Sequence, residues 1–223
     1  MICYSCLEVI NMNMKKFSKH FIDSFGTLAV VGMRALCYLG MAALAAGLFF
    51  IFLGQQTYPL HTSTGEYEYV KYGETDHKDR PSNGFFVSSP EGVYVCAFES
   101  ENIDLISYIG LSAMSAVAII PIIIGLWFLS LVLRNIQKGR IFTDQNSCYL
   151  LYYGLIQMAA AVLVPSVKLL ISVVANQFTS SVIVDQTGSL IRLEDIIPNV
   201  AFIIAAYIIR YGVNLQDEVD HTL

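Results

Sequence analysis

The sequence predicts an all-α membrane protein: four transmembrane helices with a small extracytoplasmic β cap built from the two outer loops. Three observations predict it. Of 223 residues, 55% are apolar and 14% charged, with a mean hydropathy of +0.57; a soluble domain averages roughly 45–50% apolar and about 25% charged. Four apolar stretches meet or approach the ~20 residues that an α-helix needs to cross a bilayer core of about 30 Å. The cations flanking those stretches are unevenly distributed. The same composition excludes a disordered chain, a disulfide scaffold and a nucleic-acid-binding domain. A net charge of −5 gives no protein-wide attraction to phosphate, so direct nucleic-acid binding is not expected.

Residues 1–25 read as a cytoplasmic N-terminal segment. Cys3 and Cys6 form a Cys-x-x-Cys pair there, without the second ligand pair or βαβ context that redox or metal chemistry needs. An incidental pair in a disordered tail is the expectation. Met12 and Met14, just before the basic run Lys15–His20, are candidate alternative starts.

The first span, 26–54, contains one charge, Arg34. Its apolar run continues through Leu48–Leu53, beyond a signal-peptide h-region, so a retained helix is expected. Gly40, Ala43 and Gly47 put small residues on one side, which suits helix contact within the chain or in a homo-oligomer.

The loop 55–102 is long for a structureless connection, and its pattern suggests strands. Glu66–Tyr72 alternates acidic and aromatic residues at first. Phe85–Ser88 and Val93–Phe98 flank the turn-like Ser89-Pro90-Glu91-Gly92 and read as a hairpin. A second hairpin is read in 176–195, from Val182–Val184 and Leu190–Leu193 around Asp185–Gly188. A lone hairpin is marginal in water, so the two loops are expected to merge into one sheet. The first loop carries eight acids and three bases. Its Glu74–Asp79 run, with His61 and His77 in the same loop, has no recognisable metal-ligand spacing; a solvated acidic face is the reading, with no metal and no cofactor. Cys96, the one cysteine on that side, is expected to pack as a small hydrophobe.

The second span, 103–133, and the third, 148–175, contain Pro121 and Pro165. Each removes one helical hydrogen bond. Gln157 is a candidate for a hydrogen bond between helices. Lys168 and Arg34 are the intramembrane cations. Insertion scales put such a charge at roughly 2.5–3.5 kcal/mol at a helix centre. Both are expected to snorkel toward opposite interfaces or to bond backbone carbonyls locally; the functional alternative is a ligand or ion pathway. The fourth span, 196–213, is followed by an acidic tail, 214–223.

Seven cations lie on one side, at Lys15, Lys16, Lys19, Arg134, Lys138, Arg140 and Arg210; four lie on the other, at Lys71, Lys78, Arg80 and Arg192. The positive-inside rule then puts both termini and the 134–147 loop in the cytoplasm. There is no Gly-x-Ser-x-Gly, His-Glu-x-x-His or P-loop motif, the four histidines fall on two sides of the membrane, and no enzymatic activity is expected.

Two segments carry a family likeness. The 135–146 loop holds Lys138, Gly139, Phe142, Thr143 and Asn146. The closing segment 209–223 holds Gly212, Leu215, Gln216, Glu218 and Asp220. Together they resemble the Lys-Gly-x-x-Phe-Thr-x-x-Asn loop and the Gly-x-x-Leu-Gln-x-Glu-x-Asp tail of domain-of-unknown-function family 2975, over roughly Gly26–Leu223. Where relatives carry Leu-Arg after the Asn, this chain has Leu151-Tyr152 near that place. The resemblance implies a small bacterial inner-membrane protein with four helices and no established activity. Its genes often neighbour a helix-turn-helix regulator, so a membrane-tethered regulatory or sensory partner for such a protein is implied; a small transporter or channel subunit is the alternative. From the residues alone, Gly139 permits a turn with positive φ, Phe142 anchors at the interface, and Thr143 or Asp144 caps the third span. The acidic tail is placed to pair with the basic loop or to present charge to a basic partner.

Overall fold

A computed structural model describes residues 4–62, 65–71, 87–88, 93–97, 104–179, 181–185 and 193–222. The expectations for Cys3, for the Glu74–Asp79 run with His77, and for the turns at 89–92 and 186–192 lie outside these residues. Four helices dominate: α1 (Tyr4–Phe52), α2 (Leu105–Gln137), α3 (Asp144–Ala175) and α4 (Leu193–Thr222). Each contains an apolar stretch long enough to cross a membrane: Gly26–Phe52, Leu105–Gln137, Asp144–Ala175 and Ile196–Val219. Large side chains such as Leu28, Leu39, Leu170 and Ile197 stand on the outside, as a hydrocarbon solvent demands.

The helices run beyond their expected limits, furthest at residues 4–25 and 214–222. No Gly or Pro interrupts Tyr4–Phe25, and α1 continues through it, so Cys6 is helical where a disordered tail was expected. Past Gly212 the sequence Val-Asn-Leu-Gln-Asp-Glu-Val also lacks a breaker, and α4 reaches Thr222, past the limit expected at Val213. The expected tail is the end of a helix.

Glycine ends two of the helices. Gly54 (φ +75°) and Gly139 (φ +74°) hold left-handed conformations that cost a glycine nothing. At each, the next residue donates back to the helix, Gln55 N to Phe50 O at 2.9 Å and Arg140 N to Asn135 O at 3.0 Å. These bonds satisfy carbonyls that would otherwise be orphaned. At the start of α2, Asp104 accepts from Ser107 N, and at the start of α3 Thr143 accepts from Asn146 N.

The strands are β1 (Gln56–Thr62), β2 (Gly65–Lys71), β3 (Val87–Ser88), β4 (Val93–Ala97) and β5 (Ser181–Asp185). They form one sheet in the order β2-β1-β4-β5, with β3 attached to β1. The expected merger of the two connections is present: β4 and β5 pair antiparallel, Val95 opposite Ile183. The pairings inside it differ from expectation. Among the described residues Val87–Ser88 and Val93–Ala97 do not pair with each other; β3 and β4 both lie parallel to β1. The reason is burial. Val93 and Val95 alternate inward at 2% and 0% exposure and pack with Leu111, Met114, Ala175 and Ile183 over the ends of α2 and α3. That central place puts β4 between β1 and β5. β5 takes β4 as its partner and Leu193 opens α4; the 190–192 part of the second expected hairpin lies outside the described residues. The hairpin that does form joins β1 to β2, with a register break beside Pro59, which has no N–H for the ladder.

α1 packs on α2, α2 on α3 and α3 on α4; among the described residues α1 and α4 do not pair as helices. A second apolar cluster, around Val132, Leu150 and Ala206, joins α2, α3 and α4 at the end away from the sheet. Tyr153 and Phe202 meet edge-on there, ring centres 4.6 Å apart. Gly154 allows the α3–α4 approach: a Cβ on it would lie 2.7 Å from Ile203 Cγ1. The bundle thus has a sheet end and a turn end.

Candidate functional site

The 135–146 turn and the closing helix meet at the turn end. Asn146 is fully buried. Its Nδ2 donates to Arg140 O at 2.7 Å and Ile141 O at 2.9 Å, while its Oδ1 accepts from Asn135 Nδ2 at 2.8 Å. One amide therefore ties the turn to the last turn of α2 and the first of α3. Thr143 caps α3 as expected, and Gly139 supplies the positive φ. Phe142 lies against α4: a Cβ added at Gly212 would come within 2.6 Å of Phe142 Cδ1. The glycine of one segment is the seat of the aromatic of the other. Ser147 adds a hydrogen bond to Ala206 O at 2.9 Å.

Around this junction Lys138, Gly139 and Arg140 are exposed, as are Leu215, Gln216, Asp217 and Glu218. Asp220 is helical. Of the ten residues singled out in the two segments, Phe142 and Gly212 touch, Asn146 and Thr143 hold the turn, and Lys138, Gly139, Leu215, Gln216 and Glu218 present an exposed surface of both charge signs. Sequence reasoning missed Asn135, which sits inside the same segment and partners Asn146.

Arg34 belongs to this end too. Its Nη1 donates to Gln137 Oε1 at 2.6 Å and its Nη2 to the Tyr38 hydroxyl at 3.1 Å, with the guanidinium 5.4 Å from the Tyr38 ring centre. Nε is buried without a hydrogen bond. The side chain latches α1 to the end of α2 through side-chain acceptors, not the backbone carbonyls expected.

Lys168 is 9% exposed. Ser172 and Ala175, one and two turns further on the same face of α3, are covered by β5: Ser172 Oγ donates to Ile183 O at 2.9 Å. Gln56 and Ser115 at the sheet end are also buried. Gln56 Nε2 donates to Ser115 Oγ at 2.8 Å, and Ser115 Oγ in turn to Leu111 O at 3.1 Å. Asn176 bonds both backbone groups of Ile183. Asp104 Oδ1 accepts from Thr179 Oγ1 at 2.6 Å as well as from Ser107 N. Burial alone would raise the Asp104 pKa, but the hydrogen bonds from Ser107 and Thr179 outweigh it and hold the carboxyl below its ordinary value. Cys96, half-buried in β4, has its thiol pushed up by burial, as a small packed hydrophobe would.

Between the two ends, α2, α3 and α4 line an open cleft of about 280 Å³, with Ala118, Gln157, Ala161, Pro165 and Asn199 in its wall. Gln157 makes the expected bond between helices, Nε2 to Pro121 O at 2.8 Å, and Gly125 leaves room for it. Gly40 meets Leu126 within the chain at 3.4 Å from its would-be Cβ, whereas Gly47 meets nothing within 4 Å. Among the described residues, no group of three or more His, Cys, Asp or Glu is placed to hold a metal ion.

The model of a family described as a protein of unknown function, DUF2975, matches residues 55–223. No curated protein and no solved structure matches the chain.

Proposed function

Because the chain belongs to the DUF2975 family, we propose that it is a regulatory or sensory protein of the bacterial inner membrane whose turn end faces the cytoplasm and contacts a soluble partner. On this reading the sheet is extracytoplasmic and both termini are cytoplasmic. The seven-to-four cation bias supports that orientation. The partner is a small helix-turn-helix regulator, and the protein is not an enzyme.

One observation carries the reading. The two family segments, far apart in sequence, are built into one surface through Phe142 on Gly212, with exposed cations from the turn beside exposed acids on the last turns of α4. A turn that served only to reverse the chain would need Gly139 and Thr143; it would not need a seat on α4. A signal sensed at the sheet or in the membrane reaches this surface through α2 and α3.

Co-purification of the full chain with helix-turn-helix regulators expressed in the same cell tests this. Capture by the full chain, lost on truncation after Gly212, is the expected result. Equal capture by the truncated form overturns the reading. The buried Lys168 beside a cavity favours a small transporter or channel subunit as the second reading; solute flux unaltered in Lys168→Ala speaks against it.

A further inference from the structure

α1 shows one face to the bundle and leaves another uncovered. Arg34 reaches Gln137 of α2 from the first, where Cys37 is 3% exposed. About a third of a turn around the helix, Leu28 and Val31 stand 69% and 47% exposed. Toward the N-terminus the line of those two continues through Phe21, Phe17, Met14, Ile10 and Leu7, in steps that alternate between three and four. Written as a heptad from Leu7, seven of the eight a and d positions up to Val31 are apolar, and the exception is Ser24. The five Asp, Glu and Lys residues of 4–25 all fall at outer positions: Glu8 and Lys15 at b, Lys16 and Asp23 at c, Lys19 at f. A repeat of 3.5 residues that keeps its charges off the seam is the pattern of a helix wound around another helix. We propose that this seam joins two copies of the chain in a parallel two-stranded coiled coil running from Leu7 to Val31.

The geometry of the chain selects a second copy as the occupant. The membrane-crossing stretch of α1 starts at Gly26, so residues 4–25 carry the helix about 33 Å past it. Among the described residues, no segment of the same chain at that end is long enough to cover the seam. The α2–α3 connection is residues 138–143, and α4 ends at Thr222, just past its own stretch Ile196–Val219. Residues 4–25 are helically continuous with the span, so they project from the bilayer and do not lie along its surface. Two copies inserted alike in one membrane bring these helices out parallel and in one register, as a closed two-fold pair requires. Seven apolar positions in each copy, at about 60–120 Å² apiece, cover roughly 800–1,700 Å², which reaches the size of a specific interface. The seam lies on α1, outside residues 55–223 of the family match, and stands apart from the turn-end surface and its partner.

The test is disulfide trapping, in membranes, of the full chain with its five cysteines changed to Ser. Single cysteines are then introduced by Ser24→Cys, at seam position d, and by Met12→Cys or Lys19→Cys, at outer position f. Oxidation is expected to link two chains through Ser24→Cys at least about tenfold more than through either outer substitution. Phe17→Lys in the Ser24→Cys chain lowers that yield by a similar factor. Equal yields at 12, 19 and 24 mark random collision and overturn the proposal. A Ser24→Cys chain that stays single overturns it, and so does one that links to another cellular protein without forming the dimer. Light scattering of the unaltered chain in a maltoside detergent decides the matter without any variant having to fold: a protein mass twice the 24.7 kDa of one chain is expected, and the mass of one chain at every concentration overturns the proposal.

Discussion

Replacing Asn146 by Ala should unfold the turn end well before the rest of the bundle. The side chain is fully buried and takes part in three hydrogen bonds of 2.7–2.9 Å. Ala removes all three and leaves the Asn135 amide and the carbonyls of Arg140 and Ile141 without their partner. A typical bond contributes about 0.5–1.5 kcal/mol net, and an unsatisfied buried group costs about 1–3 kcal/mol. Water reaches the turn, since Arg140 and Ile141 are themselves exposed, so part of that cost is recovered. A loss of about 2–4 kcal/mol follows. For a chain of this size each kcal/mol lowers Tm by roughly 2–4 °C, so thermal unfolding in detergent should fall by about 4–16 °C. Asn135→Ala breaks only one of the bonds and should cost about 1 kcal/mol. The double variant should be close to Asn146→Ala, because the shared bond is lost once. An Asn146→Ala protein within 2 °C of wild type, or a double variant whose loss is the sum of the singles, would refute the reasoning.

Gly212→Val puts a side chain where the Phe142 ring sits, 2.6 Å from Cδ1; a loss of about 1–3 kcal/mol is expected, and Phe142→Ala in the same chain should recover part of it on thermal unfolding. Asp104 has a folded-state pKa below its unfolded value. Its contribution is therefore present above the unfolded carboxylate range, about pH 3.9, and is lost as pH falls through the folded pKa; Asp104→Asn should flatten that part of the stability–pH curve measured by denaturant titration. Cys148 is exposed at the turn end while Cys96 is half-buried with a raised pKa, so in detergent a maleimide should modify Cys148 first, by about an order of magnitude in rate, as read by mass spectrometry.

The helices were legible because a bilayer imposes a length on apolar runs that no other environment does. The turn at Gly139 and the cap at Thr143 were legible because each is a local requirement met by one residue type. The sheet was legible only in part. β5 and β2 show alternation, whereas β1 is Gln-Thr-Tyr-Pro-Leu-His-Thr, with a proline at its centre and little periodicity. Which strand lies beside which was decided by the burial of Val93 and Val95 over α2 and α3, a contact between residues distant in the chain. The junction of Phe142 with Gly212 had both partners in view as motif residues, but spacing along a chain carries no information about which helix faces turn back onto which loop.

The way the helices are fastened has a mechanical consequence. α2 and α3 are tethered at both ends, by the short connection through Gly139 on one side and by the β4–β5 ladder on the other. α1 and α4 join this pair covalently beside the sheet, and away from it they are held by packing and by side-chain contacts: Arg34 on Gln137 for one, Phe142 on Gly212 and Ser147 on Ala206 for the other. The central pair is a fixed frame on which the outer two are fastened. Weakening the contacts at the turn end would loosen an outer helix there first, while the rim beside the sheet kept its place.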